Sequence, residues 1–490
     1  MKLSFLDKCK SEKGKRIITF IGPFVLLVYL LIGISAYINW FPGSAKFFYA
    51  SSTSGIIFRI FSTILIVAYS LMVLFINDQK IKIKWVIVFG LLLVMCLVSI
   101  FVGEHHFYFT YKTSLYGFLT SKEITVGYRT LLSMYLSSFS DFACAYCFIF
   151  ALPFCLKDKK SVLILTISVV IFMIAQCGYS LLFERAKYVA MLTKGSDAFS
   201  GYNVVIGAMF GDKQEFGAFL AVGFACSVFS LYLIDFKKAF FIVLKIICIL
   251  SLPLFFAISL LSGCKTATLS EIFICIFCLI GFLIKWFRIN KKKFYISSAI
   301  SAFVLLIFIL FVSIPAFHSS GLTEKMYNLF INRFISKIFG SIDSRNFLSL
   351  AFFENTTPSV LFFGLSKGAV QTYMQGIILD GQSSIHTGFT YFFASYGLFG
   401  FVIYALLLFK VLKNIFKVAR INSPVGFMLL GLFFATLIFN ISECEILLIS
   451  SSAAIFVFNI LVVSYPKSLL IFDYDAKLKN REREYIVCEI

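Results

Sequence analysis

In the run I-H-T-G-F-T-Y-F-F-A-S-Y-G-L-F-G, His386 stands just ahead of an apolar stretch that carries Gly397 and Gly400. An imidazole titrates near neutral pH, so a histidine at the foot of a membrane-crossing helix reads either as a catalytic group reaching substrate at a membrane surface or as the decoration of an interfacial helix end. Lys265, in L-S-G-C-K-T-A-T-L-S-E, stands at the mouth of another apolar run with Glu271 about a turn and a half deeper. It reads either as an anion-binding cation or as a side chain reaching for the headgroups. Arg345 falls in the first turn of an expected helix, S-R-N-F-L-S-L-A-F-F-E-N, which ends before Pro358. Arg59, Arg129 and Arg185 lie near span ends, where a lone arginine serves as an interface anchor. Asp141, in S-S-F-S-D-F, is either a proton relay or ion partner, or a core residue bonded to its serines. The remaining histidines, His105, His106 and His318, have no motif around them.

The elements that must position these groups are membrane spans. The 490 residues are 60% hydrophobic and only 14% charged, far more apolar than the roughly 45–50% of soluble domains. Repeated runs of about 20 apolar residues suit helices crossing hydrocarbon, and the alternating pattern of a membrane barrel is missing. An all-α, polytopic membrane fold follows. The net charge of +20 does not point to nucleic acid, because the cations sit in short clusters between apolar runs. Most of the 13 cysteines lie inside those runs, so Cys144/Cys147 and Cys275/Cys278 read as packing groups before metal ligands.

Twelve spans fit, near 17–39, 55–76, 85–103, 133–156, 161–183, 215–234, 239–262, 266–284, 294–316, 387–409, 425–441 and 446–464. Basic intervals such as K-D-K-K, K-W-F-R-I-N-K-K-K and K-V-L-K-N-I-F-K-V-A-R then face the cytoplasm with both termini, as the positive-inside rule requires. Lys245 reads as a snorkelling side chain of the seventh span. Residues 1–490 form one membrane domain, 317–386 a large extracytoplasmic loop subdomain, and 465–490 a cytoplasmic tail. Within the loop, T-E-K-M-Y-N-L-F-I-N-R-F-I-S-K-I-F-G suits an amphipathic helix stopped by Gly340.

Three segments occur in order: L-S-G-C-K-T-A, then D-S-R-N-F-L-S-L-A-F-F-E-N-T-T-P-S-V-L-F-F-G-L-S-K-G, then His386 with Gly397 and Gly400. Together they resemble the bacterial O-antigen polymerase and ligase superfamily over roughly residues 200–410. G-Y-N-V-V-I-G-A-M-F-G-D-K-Q-E-F-G-A-F-L resembles the loop that runs into a span in that family. Arg345 takes the place of the family's arginine on an outer helix, Gly364 and Gly368 that of its glycine turn, and His386 that of the histidine below a two-glycine span. Two departures matter. Cys264 and Lys265 stand where the family usually has Ser-Arg, which leaves a point charge in place of a planar fork. Thr387 follows the histidine where Asn is commoner.

The resemblance implies a Wzy-type glycan polymerase, a metal-independent glycosyltransferase without a cofactor. It would move a growing glycan from its undecaprenyl-diphosphate carrier onto a new lipid-linked repeat unit, building O-antigen, capsule or a similar surface polysaccharide. His386 would be catalytic, and Arg345, Lys265 and Arg185 would neutralise the diphosphate. Tyr327, Tyr373 and Tyr391 would hold the sugars. Expected partners are lipid-linked oligosaccharides, the bilayer, and flippase and chain-length regulator proteins. The expected place is the bacterial cytoplasmic membrane, with the site on the outer face. Two alternatives stand beside this reading: a ligase that transfers finished glycan to another acceptor, and a flippase or transporter, which twelve spans and Asp141 would suit but which the absence of an internal repeat disfavours.

Overall fold

The computed structural model describes residues 11–35, 83–107, 159–194, 206–210, 213–234, 239–314, 348–377, 385, 387–421 and 423–442, with single positions within 64–72, 134–142 and 321–327. These residues are helical or lie in the turns between helices, and no strand occurs among them. The helices are α1 (Glu12–Ser35), α2 (Ile83–Phe107), α3 (Lys159–Phe183), α4 (Arg185–Lys194), α5 (Lys213–Leu233), α6 (Ala239–Ser262), α7 (Lys265–Ile289), α8 (Lys291–Ser313), α9 (Pro358–Phe363), α10 (Lys367–Ile377), α11 (Gly388–Ile421) and α12 (Ser423–Ser442). Among the described residues, seven helices are long and apolar enough to cross a bilayer: α2, α3, α5, α6, α7, α11 and α12. The protein is therefore a multi-pass helical membrane protein. The second, fourth and twelfth expected spans, the amphipathic loop helix and the tail fall wholly or largely outside the described residues, whereas the ninth expected span coincides with α8.

Helix α5 is the hub, packed by α3, α6 and α7, and buried almost throughout. In lipid there is no water to squeeze out between helices, so close backbone approach and internal hydrogen bonds hold spans together. Both occur. Any side chain at Gly217 of α5 would collide with Cys264 and one at Gly426 of α12 with the Ala419 backbone, so these glycines set the distance between helices. Ser227 and Ser251 join α5 to α6 at 2.7 Å, and Ser230 donates to Thr166 of α3 at 2.8 Å. Bonds of this kind contribute roughly 0.6 kcal/mol each in a membrane interior.

The α7 and α12 helices run antiparallel along their lengths: Ser270 donates to the Ala435 carbonyl, and Gly281 abuts Ser423 and Pro424. The α6–α7 connection is as short as expected, with Gly263 at φ 72 and Cys264 alone between the helices. Elsewhere the helices outrun the expected spans. α7 continues to Ile289 and α8 starts at Lys291, with Asn290 between them as an N-cap whose Oδ1 accepts from Lys293 N at 3.1 Å. α11 continues through the basic segment 410–420, expected to lie between spans, and ends at Ile421. Lysine and arginine are good helix formers, so charge marks the edge of the hydrocarbon and not the end of the helix. Lys245 is 7% exposed, so it faces the bundle and does not snorkel from a lipid-facing surface.

Candidate functional site

One end of the bundle gathers the chemistry-bearing segments. There α2, α3, α6 and α12 finish and α5, α7 and α11 begin, as the contacts of Gly217 with Cys264 and of Gly103 with the Leu365 carbonyl require. Lys265 opens α7 there, half-buried, and Arg185 opens α4 there, exposed. His386 and Arg345 lie outside the described residues, as do His318, Asp141, Arg59 and Arg129. His105 and His106 belong to the last turn of α2. Among the described residues no three His, Cys, Asp or Glu side chains gather as metal ligands.

The residues flanking His386 are well held. Ile385 is fully buried, and the Thr387 hydroxyl pairs with Ser349 Oγ at 3.0 Å. Ser349 also donates to Thr390 at 3.2 Å. Ser349 belongs to the helical stretch 348–354, part of the helix that the sequence runs from Arg345 toward Pro358. The position after the histidine and a position four beyond the arginine are thus joined by hydrogen bonds.

Beneath this lies a break in α11. Gly397 has φ 65 and ψ −170, a conformation open to glycine alone, and it interrupts the helical ladder. The break frees the carbonyls of Ala394 and Ser395, which accept from Leu365 N at 2.8 Å and Ser366 N at 2.9 Å. Gly364, at φ 78, supplies the opposing turn; a Cβ there would strike the Ser395 backbone, and a Cβ at Gly397 would strike that of Phe362 and Phe363. Two of the glycines singled out from the sequence therefore interlock. Gly400 lies against Met95 of α2, and Gly368 is in the first turn of α10. Ser366, itself at φ 69 and fully buried, pairs with Ser138 at 2.9 Å and donates to the Met134 carbonyl at 3.2 Å.

The three tyrosines diverge. Tyr391 is part-buried and donates to the Lys367 carbonyl at 3.0 Å, and Tyr327 is half-buried. Tyr373 is fully buried and donates to the Asn355 carbonyl at 2.6 Å, so it packs the layer built by 348–377 and offers no face to a sugar. Burial pushes its hydroxyl up to about 12.

Arg185 sits beside a hydrogen-bonded cluster centred on Glu184, which carries no sequence motif. The Glu184 carboxylate accepts from Ser180 Oγ at 2.7 Å, Lys187 Nζ at 2.7 Å, Ala208 N at 2.9 Å and Gly207 N at 3.3 Å. Ser180 also pairs with the Tyr188 hydroxyl at 2.8 Å, and burial shifts that hydroxyl upward from its ordinary range. Ser180, Glu184 and Tyr188 recur every four residues, the spacing that shares a helix face. That spacing was the available signal. The knot pins the segment 206–210 against the end of α3, where Phe210 is enclosed by Phe172, Phe216 and Phe219. No family model matches this chain, and no curated protein does.

Proposed function

We propose that this protein is a membrane glycosyltransferase of the O-antigen polymerase kind, which extends a lipid-linked glycan by undecaprenyl-diphosphate-linked repeat units. The observation that carries the reading is the docking of the 364–366 turn onto the broken start of α11, with Thr387 tied to Ser349. It gives two of the three motif segments, 348–368 and 387–400, a common footing at one end of the bundle. In this reading His386 accepts the proton of the acceptor hydroxyl as that oxygen attacks the anomeric carbon, and the diphosphate leaves with the bond it held. Arg345, Lys265 and Arg185 offset the charge that develops on the leaving diphosphate. Such a reaction draws on a preactivated donor and asks the protein for position and charge alone. The outer layer above α11 would keep water from the donor.

The test is reconstitution. Protein in vesicles supplied only with lipid-linked repeat units is expected to yield a ladder of lengthening glycans on the carrier. No ladder there, with transfer of whole glycan once a carrier-linked preformed glycan and a second acceptor are added, would mean a ligase.

A further inference from the structure

We propose that Glu271 is a proton-binding site inside the span bundle, and that release of its proton loosens the α6–α7 hairpin around Gly263 and Cys264. Glu271 is fully buried in α7, within the hydrocarbon-length part of the helix. Its Oε1 accepts from Ser259 of α6 at 3.0 Å, whereas its Oε2 has no hydrogen-bond partner among the described residues.

The surroundings leave little else for a charge. Among the described residues, Cys177 of α3 and Cys275 of α7 are titratable groups that interact with it. Ser259 is the contribution of α6. Since Ser270 meets Ala435, α12 brings Phe434 and Ala435 to this level. Since Gly217 meets Cys264 and Ala267, α5 brings its next turn, Leu220 to Phe224. Lys265 and Glu215 stand above, toward the end of the bundle. A lone carboxylate held by one hydroxyl in so apolar a place is far costlier than the neutral acid. The proton is therefore the ligand.

The Ser259–Glu271 bond ties α6 to α7 just below their two-residue turn. Ionisation leaves a charge that water entering at the hairpin mouth would relieve. The structure yields most readily at the turn itself, where only Gly263, at φ 72, and Cys264 separate the helices. Cys264 is 6% exposed and would collide with any side chain at Gly217, so its accessibility reports whether the hairpin is closed.

The experiment is independent of the polymerase reading, because no glycan is measured. The full chain in lipid vesicles is treated with a small membrane-permeant maleimide, and modification of Cys264 is read by peptide mass spectrometry for wild type and Glu271→Gln. Taking the ratio of the two rates at each pH cancels the thiol's own titration. The expected ratio stays near one while Glu271 holds its proton and then rises with pH, by up to about tenfold per unit, as the ionised fraction grows. A ratio that stays level, or falls, up to about pH 10 overturns the proposal. If Glu271→Gln does not assemble, Glu271→Met serves as the reference on the same terms.

Discussion

His386→Ala, in protein shown to reach the membrane, is expected to lower glycan extension by about 10² to 10⁴, the usual worth of a general base. Long glycan made at the wild-type rate would remove that assignment. Arg345→Lys is expected to be nearly as damaging as Arg345→Ala, because a guanidinium grips two phosphate oxygens at once and an ammonium cannot. Full extension by the lysine form would show that charge alone suffices. Glu184→Ala is expected to lower the melting temperature of the purified protein. It strands Gly207 N and Ala208 N, at about 1–3 kcal/mol for each donor left buried and unpaired, and an unchanged melting temperature would mean that the knot is idle. His386 and Lys265 could be singled out as candidates from the sequence because their neighbours form motifs. The Ser349–Thr387 pair could not, since the two residues lie 38 apart in the chain and meet only through the fold.

At the level of elements, the α11 break is the feature on which the site rests. Gly397→Ala would place a Cβ against the Phe362 and Phe363 backbone at φ 65. Backbone strain alone would cost about 1–3 kcal/mol, before any clash is relieved. The expected outcome is loss of both stability and extension, whereas Gly90→Ala, where a Cβ meets open space, should change neither. Equal behaviour of the two variants would show that the break is incidental. The sequence exposed part of this: the S-G-C connection could be read because so short a polar gap leaves only a tight hairpin, and Gly397 stood out by its spacing from His386. The partner turn at Gly364 was visible as a motif, but not its contact with Gly397. The length of α11 was misjudged for a definite reason, since Lys410, Lys413, Lys417 and Arg420 signal the membrane edge while remaining helical.

For the whole molecule, hydropathy was a sound guide to class, and seven of the expected spans appear as membrane-length helices among the described residues. The same signal said nothing of which spans meet. The hub position of α5 depends on small residues such as Gly217 that let neighbours approach, and hydropathy does not distinguish a buried span from one facing lipid. The task proposed for this assembly is to lengthen a glycan at the outer face of a bacterial cytoplasmic membrane. Its most direct test is the glycan carried by undecaprenyl diphosphate in cells that lack the protein. Single repeat units accumulating on the outer face are the predicted result; full-length glycan stranded on its carrier, or units retained on the cytoplasmic face, would contradict it.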